Sequence, residues 1–334
     1  MPSDLPIGKV PPDILAALVY PRVGIRRKDV LVHAQVGEDS AVIDFGTEVA
    51  VLTSDPITGT GRDVGWYAVF VATNDLAATG AEPVALTLTI LLAPDHPADD
   101  LDRVMRDAGA AAAAIGVEIA GGHSEVTRGI DRTLVIVTAV GRARKDRVLR
   151  SGGARPGDAL LLTKGAGIEG TAILAAEFET RLRAALGDAL VDRARAFRGR
   201  ISVLPEGRAA AGAGARAMHD VTEGGVLGAA HEMAVASGIG IRVEGDRVPV
   251  LPETAAICAH LGLDPLALIG SGALLIATPD PARTSAGITA AGVAVAPAGE
   301  FLPRDRVLRR GGRDLPLVPP PRDELWRALE RSGS

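Results

Sequence analysis

The sequence predicts a two-domain α/β protein of the layered α+β kind, and three observations carry that prediction. Strand-like and helix-like stretches alternate through the first half. A Gly/Pro-rich crossing at residues 151–158 (SGGARPGD) is followed by a fresh strand. The length, 334 residues, exceeds one ordinary domain of roughly 100–200 residues. The expected division is an N-terminal domain over 1–150, a C-terminal domain over 151–318 and a short, peripheral tail over 319–334.

The elements follow from local pattern. Residues 49–54 form a compact β-branched and aliphatic run, a strand expected to end in a turn at Asp55-Pro56. Residues 66–78 have helical spacing, with Trp66, Phe70 and Ala77 toward one face. Residues 84–92 alternate as a strand, and 99–115, Ala-rich with its charges in the first half, is a helix stopped by Gly116. Residues 118–120 lead into an expected Gly121-Gly122 turn, and 133–140 is another alternating strand. After the crossing, which its charged approach marks as exposed, come a strand over 159–163 and a helix from near Thr171. A charged helical region spans 178–199; helices cover 226–236 and 253–261, and a strand covers 272–277.

Composition narrows the function. Residues are 47% hydrophobic and only 3% aromatic, and the net charge of −5 argues against a nucleic-acid or anionic-membrane partner. Cys258 is the sole cysteine, which excludes an internal disulfide framework and a cysteine-based zinc cluster. The start, MPSDLPIGKV, lacks the apolar core of a signal peptide. The apolar run over 84–93 carries Thr87 and Thr89 and is too short for a membrane span. A cytoplasmic protein is expected.

Acids sit at informative places. Glu38-Asp39 precedes a short strand, Asp55 ends the next one, and Asp75 lies beside Asn74 inside an otherwise apolar helix. A carboxylate in a packed helix face costs several kcal/mol, on the order quoted for buried charge, unless a cation or hydrogen bonds compensate. Magnesium, which prefers oxygen ligands, would compensate and bring nucleotide phosphates with it; a solvent-facing Asp75 is the plain alternative. Gly121-Gly122-His123-Ser124 allows close backbone approach and an anion-binding nest, or else a turn with a surface histidine. Gly165, Gly167 and Gly170 spell a literal GxGxxG between a strand and a helix, yet the second strand ending in an acid about 20 residues on is missing. That leaves a turn serving fold geometry or another phosphate, with a nicotinamide oxidoreductase as the weaker alternative. His219-Asp220-Val221-Thr222-Glu223 opens a helix with Thr222 as expected N-cap. His231-Glu232 lacks the second histidine of HExxH, so a zinc protease is poorly supported.

Taken in order, GEDSAVI (37–43), TSDPITG (53–59), ATNDLAATGAEP (72–83), GGHSEV (121–126), HDVTEGGVLGAAHEMA (219–234) and LGLDPLALIGSGALLIA (261–277) resemble one ATP-binding superfamily. It holds aminoimidazole ribonucleotide (AIR) synthetase, selenophosphate synthetase, thiamine-monophosphate kinase and the hydrogenase maturation factor HypE; the HypE-like, AIR synthase-related members are most similar. The resemblance implies a PurM-like fold. An N-terminal mixed sheet with helices pairs in a homodimer, ATP lies in a cleft near that interface, and a C-terminal α/β domain closes over it. Carried over by motif, Asp39, Asp55 and Asp75 would be magnesium or phosphate-side ligands. Asn74, Gly121, Gly122, Ser124, Gly165 and Gly167 would contact the nucleotide, and Asp75, His123, Asp220 and Glu223 would serve catalysis. ATP and Mg²⁺ are the implied cofactors, and a small-molecule acceptor and a maturation protein the implied partners. A scaffold that binds ATP without transferring it is the alternative. HypE-type chains bear the group they dehydrate on a terminal cysteine. Here the last residues are Glu330-Arg331-Ser332-Gly333-Ser334, so a different acceptor is expected.

Overall fold

The computed structural model describes residues 9–10, 12–23, 25–58, 63–94 and 98–330. Pro6, Ile7, Gly8, Gly59 and Arg331 to Ser334, read above from the sequence, lie outside the described residues.

The first half builds one six-stranded mixed sheet. Its strands are β1 (Val30–Val32), β2 (Ala41–Asp44), β3 (Glu48–Ile57), β4 (Glu82–Leu92), β5 (Glu118–Val126) and β6 (Leu134–Arg144), in the order β1-β2-β3-β6-β4-β5. Only β4 and β5 run parallel, because the helix between them carries the chain back over the sheet. The helices are α1 (Pro12–Leu18), α2 (Val64–Ala78) and α3 (Ala98–Ile115). Gly116, at φ 69°, stops α3 as expected.

The second half forms a seven-stranded sheet. Its strands are β7 (Ala159–Thr163), β8 (Ala217–Asp220), β9 (Gly240–Glu244), β10 (Leu274–Thr278), β11 (Val295–Leu302), β12 (Arg306–Arg310) and β13 (Arg313–Pro316), ordered β13-β12-β9-β11-β7-β10-β8. The helices around it are α4 (Ile168–Glu177), α5 (Glu179–Leu186), α6 (Asp188–Arg195), α7 (Leu204–Ala213), α8 (Gly225–Ser237), α9 (Pro252–Leu261), α10 (Pro281–Ala290) and α11 (Glu324–Glu330). Among the described residues no helix is long and apolar enough to cross a membrane.

α2 is the wall shared by both halves. Thirteen of its fifteen residues are buried, so the one-sided helix expected from Trp66, Phe70 and Ala77 is buried nearly all round instead. It packs on β3 and β6 on one side and on β8 and α7 on the other. The Asn74 side chain locks the two halves: Nδ2 donates to the Ile201 carbonyl at 2.9 Å and Oδ1 accepts from Val203 N–H at 2.9 Å. Trp66 Nε1 donates to the Arg198 carbonyl, and the Arg198 guanidinium lies 4.3 Å over the Trp66 ring.

Several local expectations are corrected. β3 does not turn at Asp55-Pro56. It runs on to Ile57 in register with β6, where Asp55 faces Val137 and Pro56 faces Ile136. Gly121-Gly122 is not a turn either; β5 passes straight through it. Gly122 holds φ 152° with a built Cβ only 2.0 Å from the Leu88 carbonyl, so the pair serves tight strand packing. The crossing is exposed only at residues 155–157; Ser151–Gly153 forms a short 3-10 turn packed on α8 with Ser151 buried. The tail is not peripheral: Asp323, Glu324, Leu325 and Ala328 are buried.

Candidate active site

The inward face of β3 is set by strand alternation: Val49, Val51, Thr53, Asp55 and Ile57. The first two feed the core, and Asp55 and Ile57 line a cavity of about 680 Å³, within the range of ligand pockets. Asp75 comes from α2 and Asp39 from the loop before β2. Asp220 ends β8, and Thr222 and Glu223 follow it. The four aspartates therefore meet from both halves of the chain.

Asp75 is only 7% exposed, which settles the question its spacing left open: it faces the cavity and not bulk solvent. The Thr53 hydroxyl lies 2.5 Å from Asp75 Oδ2 and 3.1 Å from Asp55 Oδ2, and its single proton serves one of them at a time. Burial, reinforced by Asp55, Asp220 and Asp39, holds the Asp75 carboxyl well above the usual carboxylate range. Burial raises Asp55 as well. Burial and the charge of Asp39 push Asp220 up to about 8, and its Oδ2 has no hydrogen-bond partner among the described residues.

Beside them stands a charged bridge. His219 Nε2 lies 3.2 Å from Asp39 Oδ1 and 3.2 Å from Glu232 Oε2, while Nδ1 sits 2.7 Å from the Asp220 carbonyl oxygen. Its nearest polar neighbours are carboxylate and carbonyl oxygens, surroundings that favour the protonated ring. Burial alone would lower the His219 pKa, but Asp39 and Glu232 outweigh it and hold it at about 10. Glu232, although desolvated, is held down at about 2 by His219 and Lys9. Lys9 Nζ donates to Glu232 Oε1 at 2.7 Å, and the Lys9 amide donates to Glu223 Oε1 at 2.8 Å. Ser151 Oγ donates to Asp39 Oδ2 at 3.0 Å. Burial raises Asp39 to about 6 against the opposing charge of His219.

Asp39, His219 and Asp220 each offer an atom within 4.8 Å of the others, a spacing that suits a metal ion. His219 Nε2 faces Asp39 and Glu232, so the carboxylate oxygens are the donors best placed for such an ion. Asp39, Asp55, Asp75 and Asp220 form a hard-oxygen set suited to Mg²⁺ and not to a soft or nitrogen-seeking metal.

The remaining sequence-predicted residues lie elsewhere. Asn74 lines no part of this cavity; its amide joins the domains. Gly121, Gly122, His123 and Ser124 are exposed on β5, with His123 Nε2 3.1 Å from Glu125 Oε2. Gly165 backs onto the Pro249 carbonyl, and Gly167 lies at φ 68° against Leu268 and Thr254. β7, which leads into that loop, pairs antiparallel with both β10 and β11, whereas a dinucleotide fingerprint needs a parallel β-α-β unit. Those glycines serve packing, and this loop lacks the parallel unit that the nicotinamide reading needs. Thr222 lines the cavity, and the N-cap of α8 is Gly224 in the left-handed conformation.

Sequence reasoning missed Lys9, Glu169, Ser271 and Trp326 as cavity residues, and the bridging role of His219 and Glu232. Lys9 and Glu232 are 223 positions apart, a separation no motif spans.

Profiles of the AIR synthase related protein family match along most of this chain, the N-terminal domain over residues 37–143 and the C-terminal domain over 155–309. The chain belongs to the AIR synthase related family. It is similar to the carbamoyl dehydratase HypE of Rhodobacter capsulatus, with 32% identity across 84% of this chain and 81% of that protein. HypE of Rhizobium leguminosarum bv. viciae is 33% identical across 72% of this chain and 69% of that one. Among solved structures, E. coli HypE superposes with a TM-score of 0.73 at 24% identity, covering 90% of this chain and 95% of that one. A HypE solved in complex with ATP gives 0.66 at 23% identity (94% and 91% covered). The HypE–HypF complex gives 0.72 at 23% (85% and 93%). The two-domain α/β architecture expected of a PurM-like protein is therefore the architecture of this AIR synthase related chain.

Proposed function

We propose that this AIR synthase related protein binds ATP with Mg²⁺ at the four-aspartate cluster and drives phosphoryl transfer to an acceptor within hydrogenase maturation. The observation that carries the reading is the convergence of Asp39, Asp55, Asp75 and Asp220, from both halves of the chain, on one cavity where burial disfavours their ionised forms. Such a set is poised to give up protons to a bound cation. Its resemblance to carbamoyl dehydratases and to a HypE solved with ATP points the same way. A bound Mg²⁺ would offset the triphosphate charge and favour displacement at the γ-phosphorus. The chain's own residues do the positioning. Thr53 orients Asp55 and Asp75, Ser151 and His219 fix Asp39, and Glu232, itself held by Lys9, favours the charged form of His219. Transfer is then chiefly placement and electrostatics.

A homodimer belongs to this reading. The sheet face opposite α2 is partly exposed and carries Leu52, Ile136, Val140 and Leu91, and β5 is an open edge; a second copy covering that face brings His123 and Ser124 into a shared interface. A partner of the maturation kind follows from the HypE–HypF complex.

Calorimetric titration with ATP, with and without Mg²⁺, tests the proposal. Mg²⁺-dependent binding is expected, and Asp75→Asn should lower ADP release by at least about 100-fold, the size of a lost electrostatic contact in a dry site. Equal ATP affinity with and without Mg²⁺, or full turnover in Asp75→Asn, contradicts it. Tight binding with no ADP release favours a scaffold.

A further inference from the structure

The cavity has a second wall that the aspartate cluster does not use. Glu169, in the first turn of α4, faces it together with Ser271, Ile269, Glu223 and Trp326. Glu169 is 4% exposed and Ser271 1% exposed; Ser271 stands beside the Glu169 carboxyl, and Glu169 Oε2 has no hydrogen-bond partner among the described residues. A buried carboxyl oxygen without a donor is costly, and most such atoms in folded proteins are paired. The neighbouring acids are engaged. Asp323 accepts backbone N–H groups from Gly224, Ile269 and Leu325, and Glu223 Oε1 accepts from the Lys9 amide and from Trp326 Nε1 at 3.1 Å. Glu169 Oε2 is the open acceptor on this wall.

We propose that Glu169 is the base that takes the proton of the acceptor's nucleophilic group, with Ser271 completing the acceptor's subsite opposite the nucleotide. The inference rests on the phosphoryl-transfer reading above. An acceptor carrying an N–H or O–H donor fills the unpartnered position and presents its lone pair toward the γ-phosphate. The bond from that nitrogen or oxygen to phosphorus forms as the bridging P–O bond breaks. Its electron pair leaves on ADP, and the proton passes to Glu169 Oε2 and then to solvent. Burial, opposed by Ser271 and reinforced by Asp323 and Glu223, places the Glu169 carboxyl at about 7, suited to a base at neutral pH. Tyr67, on α2, also feels the Glu169 charge across the domain boundary.

The test uses the full chain with Mg-ATP, with water and then hydroxylamine as probe nucleophiles, comparing the wild type with Glu169→Gln and Ser271→Ala. ATP affinity by calorimetry should stay within about twofold in both variants, which also shows that they fold. Wild-type ADP release should rise with pH and level off above about 7. Glu169→Gln should lose that rise and fall by roughly 10²- to 10⁴-fold. Ser271→Ala should raise the KM for hydroxylamine more than it lowers kcat. A Glu169→Gln variant with the wild-type rate and pH profile overturns the assignment. So does one that loses ATP affinity, since Glu169 would then belong to the nucleotide site. Wild-type protein that binds ATP but releases no ADP with either probe also overturns it and leaves ATP binding standing; failure to bind ATP removes the earlier reading instead.

Discussion

His219 and His123 both stand inside motifs that mark them for chemistry, and their surroundings are opposite. His219, its side chain 2% exposed, lies between two carboxylates; His123, 66% exposed, meets only Glu125 on an open edge strand. The first is a fixed charge that organises acids from three segments, and the second is one rim contact in an open surface. Burial makes the difference, because a pair in a dry site interacts far more strongly than the same pair in water. A motif names residue types; packing decides which of them carry weight.

The sharpest way to break this contrast is to remove the buried ring. His219→Ala leaves Asp39 and Glu232 desolvated without their shared cation, and the expected loss is about 3–5 kcal/mol in denaturant unfolding, typical of a broken buried pair. A loss under 1 kcal/mol would mean that water reaches the cluster. A smaller, graded effect should follow from pH. Folding raises Asp39 to about 6, Asp220 to about 8 and His219 to about 10, so between pH 5 and 9 the native protein holds more protons than the unfolded chain. Stability without ligand should therefore fall as pH rises through that window. Glu232, lowered to about 2, supplies the opposite slope only below about pH 4.5. Melting temperature against pH checks this: a decline that Mg-ATP flattens is expected, and a rise from pH 5 to 8 contradicts the burial of these acids. The smallest effect belongs to His123→Ala, within about 0.5 kcal/mol of wild type in monomer stability, as for other exposed sites. If it nevertheless shifts the sedimentation mass at micromolar concentration, β5 lies in the interface between copies.

Part of the cluster was legible from position: Asp75 interrupts an apolar helix, Asp39 and Asp55 stand at the ends of strand-like runs, and Asp220 came with the HDVTEGG motif. The alternating strands and helices were equally legible, since periodicity is local. What escaped was long-range. Glu169 reads as an unremarkable position inside GxGxxG, and nothing local says that Ser271, more than a hundred residues later, lies beside it. Asn74 looked like a ligand because it neighbours Asp75, but one step along a helix turns the side chain about 100° toward another surface. Trp326 sat in a stretch whose three prolines suggested a loose end.

The amide of Asn74 has a mechanical consequence. It fastens α2 to residues 201 and 203, one position from the aspartate at the centre of the cavity. A jaw-like opening of the two halves would have to strip both buried bonds and slide Arg198 off Trp66. On the cavity lining, Lys9 is held by Glu223 and Glu232, and Trp326 on α11 donates to the same Glu223. Glu223 thus joins two distant stretches of the chain at the lining of one cavity.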